Sequence, residues 1–118
     1  MRTFYYLSTC DSCKRILSQL CLDDSIVQVD IKKNPLTIDQ LENLYLLSGS
    51  YEALFSKRAQ LYKKRNLKNK VLTEIDYKNF LLEHYTFLKR PVFIYDKKLF
   101  IGNSTKEVSA IKAFLYEQ

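Results

Sequence analysis

The sequence contains few residues that interrupt regular backbone structure, and it lacks a long apolar stretch. Its 118 residues include only two glycines and two prolines, and no glycine-rich phosphate-binding loop is present. No apolar run approaches the ~20 residues that a membrane-spanning helix needs. Polar residues from Ser8 to Ser12 interrupt the N-terminal apolar run, which excludes the core of a signal peptide. We therefore expect one cytoplasmic globular domain with no membrane partner.

Histidine and cysteine are also scarce, with one and three residues respectively. Three cysteines are too few for a disulfide framework and favour redox or metal chemistry. A zinc site built on Cys10 and Cys13 would need two more ligands, and only Cys21 and His84 are available, at the wrong spacing. We therefore expect no metal, and we interpret His84 as a structural histidine on the apolar face of its helix. No carboxylate pair or Ser–His arrangement suggests another catalytic site.

Acidic residues are missing from one segment, between Ser56 and Lys70, although the chain as a whole has 13 acidic and 19 basic residues and a net charge of +6. The seven basic residues there are Lys57, Arg58, Lys63, Lys64, Arg65, Lys68 and Lys70. A solvated helix face and loop is the simpler interpretation, and contact with an anion or an acidic protein is the alternative. No nucleic-acid recognition motif accompanies the charge, so direct DNA readout is not expected.

The stretch from Tyr6 to Arg15 carries the clearest chemical signal. An apolar strand ends at a polar turn, and Cys10 and Cys13 follow where helical periodicity begins. The helix N-terminus favours a thiolate, so Cys10 is predicted to be an outer, reactive sulfur, although the neighbouring Asp11 opposes this. A stripe predicted to face the core contains Cys13, Ile16, Leu17, Leu20 and Cys21. Cys13 is therefore expected to be shielded, either as a resolving cysteine or as core packing.

Cys21 is predicted to be a small core residue. It lies two helical turns beyond Cys13, about 12 Å at 1.5 Å per residue. This separation excludes a disulfide between the two.

The order of predicted elements indicates an α/β fold. Strands are predicted at 3–7, 26–31, 92–95 and 98–101, with the last two forming an antiparallel hairpin. The first two strands and the intervening helix make a βαβ unit with parallel strands. Residues 37–88 are predicted to be helical, beginning at a Thr37–Gln40 capping box with Gly49 as a helix stop, and a Ser104–Glu107 capping box opens the last helix.

This order, β-α-β, a helical segment, then β-β-α, predicts a thioredoxin-like four-stranded mixed sheet. We expect a single domain over 1–118. Residues 1–36 and 89–118 would form the thioredoxin-like core, and 37–88 would be a helical insertion between its halves.

Three further segments sharpen this prediction: Asp30 to Pro35, Ser56 to Arg58, and Leu88 to Val92. Together with the CxxC motif they resemble the arsenate reductase-like family, which includes the Spx-type regulators, and the resemblance extends over the full chain. It implies that Cys10 is the nucleophile. Arg58 and Arg90 would hold an oxyanion and stabilise the thiolate. A cis proline, Pro91, would present its backbone beside Cys10.

We also expect Ser12, Pro91 and Asn103 to contact the substrate. The sequence departs from true arsenate reductases in two ways. Gly102 and Asn103 occupy the region of a third arginine, and Cys13 completes a CxxC that Spx-type proteins carry. We therefore expect redox chemistry without efficient arsenate reduction.

Two functions from different classes follow. The first is a thiol–disulfide oxidoreductase in which Cys10 attacks and Cys13 resolves. It would act on a small anionic thiol or a protein disulfide, with glutaredoxin or thioredoxin as partner and no cofactor beyond glutathione as co-substrate. The second is an Spx-like redox-sensing regulator that binds the RNA polymerase α subunit through the loop around Gly49 and Ser50.

Overall fold

The computed structural model describes all residues from 1 to 118. The chain forms four strands and six α-helices, with two short 3-10 turns at Leu67–Asn69 and Tyr85–Phe87. In chain order the elements are β1 (Arg2–Tyr6), α1 (Asp11–Leu20), β2 (Val27–Asp30), α2 (Ile38–Ser48), α3 (Tyr51–Leu54), α4 (Gln60–Lys64), α5 (Glu74–Glu83), β3 (Val92–Tyr95), β4 (Lys98–Ile101) and α6 (Thr105–Tyr116). None of the helices combines the length and apolar character that a bilayer crossing requires.

The four strands form one mixed sheet in the order β2-β1-β3-β4. The central strand β1 pairs parallel with β2 and antiparallel with β3, and β3 pairs antiparallel with β4. The predicted thioredoxin-like fold is therefore confirmed. The hairpin strands have the predicted bounds, whereas β1 begins and ends one residue early and β2 is shorter by one residue at each end.

The chain divides into two compact units, residues 1–32 with 90–118, and residues 33–89. The first unit contains the sheet. Its apolar core lies between the sheet and the helices α1 and α6. The buried side chains of this core are Phe4, Ile16, Leu20, Ile26, Phe93, Phe100 and Ile111. The sequence periodicity of α6 explains its position, because Ile111 is buried and Val108, Phe114 and Leu115 pack against the same cluster.

The second unit is helical, as predicted, and contains only one isolated β-bridge, between Phe55 and Leu88. The Thr37–Gln40 capping box opens α2, and Gly49 ends it in the left-handed region at φ 76°. At the centre of the unit, Phe55 is 1% exposed. Its aromatic neighbours are Tyr62, Tyr77, Phe80 and Phe87.

The capping box predicted for α6 is only half formed. Ser104 Oγ accepts a hydrogen bond from the Glu107 N–H at 3.1 Å, as expected of an N-cap. The Glu107 carboxylate, however, accepts from the Ile101 N–H at 2.9 Å instead of returning to the Ser104 backbone. Glu107 therefore fixes the end of β4, directly before the turn that contains Gly102 and Asn103.

Candidate redox site at the end of the central strand

Cys10 lies at the N-cap of α1, where the chain leaves β1. Its backbone is extended, with φ −96° and ψ 113°. The Cys10 N–H donates to the Leu7 carbonyl at 3.0 Å, and the Cys10 carbonyl accepts from the Lys14 N–H at 3.1 Å. These two bonds hold Cys10 at the strand-to-helix junction. The residue is half-buried, so its sulfur is partly accessible to another molecule.

Cys13 is one helical turn further along α1 and has no exposed surface. Its sulfur accepts a hydrogen bond from the Leu7 backbone N–H, and its thiol is hydrogen-bonded to the Cys10 sulfur. The two side chains therefore meet on one face of the helix, as their three-residue spacing predicts. Cys13 can approach Cys10 directly, but a second protein can reach only Cys10.

The pKa of Cys10 lies below its ordinary value. Partial burial acts to raise this pKa, but hydrogen bonds from the Cys13 backbone N–H and the Cys13 thiol lower it. The positive charge of Arg90 and a hydrogen bond from its guanidinium lower it further. The balance favours the thiolate, which is the nucleophilic form of a cysteine.

The pKa of Cys13 moves in the opposite direction, to about 11. Burial is the main cause, because a thiolate without water around it is costly. The hydrogen bond to Cys10 and the negative charge of that sulfur raise the pKa further, against the lowering effects of the Leu7 N–H and Arg90. Cys13 is therefore a neutral thiol at physiological pH, able to donate a hydrogen bond to the Cys10 thiolate.

Arg90 and Pro91 enter the site at the start of the hairpin. The peptide bond between them is cis, as the family resemblance implied. Pro91 is buried, and its carbonyl accepts from the Gly102 N–H at 2.8 Å. This bond joins the start of β3 to the turn after β4, where Asn103 is exposed. Arg90, Pro91 and Asn103 thus belong to neighbouring backbone segments.

The other sequence-predicted residues have varied positions. Ser12 is half-buried in the first turn of α1. Asp11 is fully exposed, with its carboxylate 3.9 Å from the Lys14 ammonium. Arg58 lies in the second unit, exposed in the turn after α3, where its N–H donates to Ser56 Oγ at 3.3 Å. The roles of Arg58, Ser12 and Asn103 stay predictions.

The prediction that Cys21 is a core residue is wrong. Cys21 is exposed because it ends α1 in the left-handed region, at φ 49°, which turns it away from the buried stripe. Its thiol donates to the Ser18 carbonyl at 3.6 Å. The prediction that His84 lies on the apolar face of its helix is wrong, because α5 ends at Glu83 and His84 has extended backbone at φ −151°. His84 Nδ1 accepts from the Thr86 N–H at 3.0 Å.

Sequence reasoning missed Asp30, which is buried at 6% exposure in the last position of β2. Its Oδ1 accepts from the Ser8 N–H at 3.3 Å and the Lys32 N–H at 3.1 Å. Ser8 lies two residues before Cys10. A signal was present in the sequence, since a carboxylate at the end of a strand, directly before buried Ile31, requires partners.

The chain combines a thioredoxin-like sheet with a CxxC pair at the first helix and a cis proline at the start of the hairpin. The chain matches the ArsC family over residues 5–111 and belongs to it. It is 26% identical over 110 residues to the global transcriptional regulator Spx of Bacillus subtilis, covering 92% of this chain and 84% of that protein.

Solved structures give the same grouping. A possible arsenate reductase from Streptococcus mutans is 30% identical, with a TM-score of 0.68, covering 89% of this chain and 92% of that one. An arsenate reductase from Vibrio cholerae has a TM-score of 0.75 at 19% identity, covering 93% of this chain and 96% of that one. At this identity the second likeness shows the fold alone.

We predict that replacing Arg90 raises the pKa of Cys10 more than replacing Arg58 does. The Arg90 guanidinium is hydrogen-bonded to the Cys10 sulfur, whereas Arg58 is an exposed residue in the second unit. The measurement is the rate of Cys10 alkylation against pH for Arg90→Ala and Arg58→Ala. Both would carry Cys13→Ser and Cys21→Ser, which leave one thiol and keep a hydroxyl donor at position 13. An unchanged profile in Arg90→Ala would show that the guanidinium does not stabilise the thiolate.

Because the pKa of Cys13 is raised in the folded protein, the free energy of unfolding should fall as pH rises in the alkaline range. Between the ordinary thiol pKa of 9.0 and about 11, the unfolded chain loses the Cys13 proton while the folded chain keeps it. The stabilising contribution is complete below this window and is lost as pH rises through it. Urea unfolding should therefore show a steeper loss of stability over this range for the parent than for Cys13→Ala. Parallel slopes would contradict the shift.

Proposed function

We propose that this protein is a thiol–disulfide oxidoreductase with Cys10 as nucleophile and Cys13 as resolving cysteine. The observation that supports it most is the opposite displacement of two pKa values within one hydrogen-bonded pair. The accessible Cys10 is the cysteine whose pKa is lowered toward the thiolate. The shielded Cys13 has a raised pKa and stays protonated until it attacks the mixed disulfide. A pair of cysteines that only packed the core would not require this division.

The proposed reaction begins when the Cys10 thiolate attacks one sulfur of a substrate disulfide. A mixed disulfide forms at Cys10, and the first substrate sulfur leaves as a thiolate that takes a proton from water. Cys13 then gives up its proton and attacks the Cys10 sulfur. The Cys10–Cys13 bond forms and the second substrate sulfur leaves as a thiol. The substrate has gained two electrons and two protons, and an external thiol must return the protein to its dithiol form.

The charge around Cys10 supports an anionic or acidic substrate. Arg90 is half-buried beside the thiol and would attract a carboxylate, while Arg58 is proposed as a second cation for the same purpose. Ser12, Pro91 and Asn103 would contact the substrate chain. Glutathione carries two carboxylates and fits this description as co-substrate, and glutaredoxin or thioredoxin would be the protein partner that restores the dithiol.

The test is to trap the first intermediate. With Cys13→Ser, the second step is blocked, so mixing the protein with a glutathionylated peptide should leave a stable adduct on Cys10, detectable by mass spectrometry. The parent should instead release the peptide thiol and accumulate the internal disulfide. Cys21→Ser is the matched control and should behave as the parent. Adduct formation on Cys21 with Cys10 unmodified would overturn the proposal.

Arsenate should be reduced negligibly, even with glutathione and glutaredoxin supplied. Two arginines leave the charge of the oxyanion under-compensated, and one missing donor of this kind costs about 3 kcal/mol of transition-state stabilisation. Turnover near the common enzymatic rate of about 10 per second would contradict this. Asn103→Arg places a cation in the region of the missing arginine and should increase the rate if its absence is the cause.

A second candidate function is favoured by the curated relatives. Five proteins named Spx regulators match at 24–26% identity and each covers 92% of this chain. On this proposal the CxxC pair is a switch, and the protein binds the RNA polymerase α subunit near Gly49 and Ser50. Capture of purified α subunit that depends on the redox state and is lost in Gly49→Arg would support the regulator. If neither the reduced nor the oxidised protein captures the α subunit, the regulator is excluded.

A further inference from the structure

Asp30 is the only charged residue among the buried side chains of the chain. It ends β2, and Tyr6 of the central strand is its partner across the parallel ladder. A buried carboxylate is costly unless hydrogen bonds replace its water. The position of those hydrogen bonds therefore indicates what the residue contributes.

One carboxylate oxygen of Asp30 joins the ends of two strands. Oδ1 accepts from the Lys32 N–H at 3.1 Å, a local turn that ends β2. The same atom accepts from the Ser8 N–H at 3.3 Å, in the segment that follows β1. The Ile31 N–H also donates to the Tyr6 carbonyl at 2.9 Å, so the two segments stay in contact up to the turn.

The segment that Asp30 holds is bonded to the backbone of Cys10 and to the sulfur of Cys13. Leu7, adjacent to Ser8, accepts from the Cys10 N–H through its carbonyl at 3.0 Å. Its own N–H donates to the Cys13 sulfur. A displacement of this segment would change the direction of both bonds. The positions of Cys10 and Cys13 therefore depend on where the Asp30 carboxylate holds this segment.

We propose that Asp30 is a positioning residue for the Cys10–Cys13 pair, acting through the Ser8 N–H and the Leu7 backbone. The inference rests on the proposed thiol–disulfide function. The largest influences on the two thiol pKa values are burial, hydrogen bonds between the thiols and from backbone amides, and the charge of Arg90. Asp30 contributes by keeping these groups in register.

The test distinguishes the position of the acceptor oxygen at residue 30 from the negative charge of the carboxylate. Asp30→Asn keeps an acceptor oxygen in place and removes the charge, whereas Asp30→Glu keeps the charge and displaces the oxygen by one methylene. With Cys21→Ser as background, Asp30→Asn should keep the parent pH profile of Cys10 alkylation. Asp30→Glu should slow alkylation at neutral pH by about three- to tenfold, the scale of one lost hydrogen bond. It should also shift the disulfide equilibrium with glutathione.

Two outcomes would overturn the inference. If Asp30→Asn changes the alkylation profile as much as Asp30→Glu does, the charge is what matters. If neither variant changes it, the carboxylate only satisfies buried backbone groups. Thr3→Val is the matched control, because Thr3 is a buried polar residue at the opposite end of β1. It should move the melting temperature without moving the profile.

Failure of the proposed function would be visible separately. A parent protein that forms no Cys10–Cys13 disulfide in glutathione buffers would contradict the oxidoreductase proposal. The alkylation profiles of the Asp30 variants would still decide the role of Asp30, since they need only the reduced thiols.

Discussion

The pairing of β1 with both of its neighbours is the constraint on which the site depends. Its antiparallel register with β3 sets Tyr5 opposite Val92, so the end of one strand lies beside the start of the other. Cys10 follows the first and Arg90 precedes the second. The parallel register with β2 sets Tyr6 opposite Asp30. The C-terminal end of β1 therefore lies close to a thiol, a cation and a buried carboxylate that come from three parts of the sequence.

Cys10 and Cys13 lie in the same helical turn, but their pKa values move in opposite directions because Cys10 is partly exposed to water and Cys13 is buried. Cys10 is half-buried, which leaves its thiolate stabilised by amides, by the Cys13 thiol and by Arg90. Cys13 has no exposed surface, and its thiol stays protonated to about pH 11. The interaction between the two sulfurs increases the difference between their pKa values. Cys13 donates to the Cys10 thiolate, and the negative charge of that thiolate makes ionisation of Cys13 less favourable.

The sequence was sufficient to predict the fold because periodicity and capping signals agreed along the chain. The Thr37–Gln40 box and the hairpin strands are where the pattern placed them. Cys21 was predicted wrongly because helical periodicity was extended one residue past the end of α1, where a left-handed residue leaves the stripe. Asp30 was missed because its function lies in a bond to Ser8, 22 residues away, and only strand pairing brings the two together.

The asymmetry between the two thiols would also govern how the proposed Cys10–Cys13 disulfide is reopened. An external thiol can attack only the accessible Cys10 sulfur, so Cys13 must be the leaving group. A thiol of high pKa leaves slowly unless a proton is delivered to it as the bond breaks. Reopening of the disulfide is therefore slow, although the stabilised Cys10 thiolate favours the reduced pair at equilibrium. Persistence of the disulfide suits a redox switch, whereas enzymatic turnover requires a docked partner that delivers a proton to Cys13 as the bond breaks. The reductive half of the cycle thus distinguishes the two proposed functions, while the oxidative half is common to both.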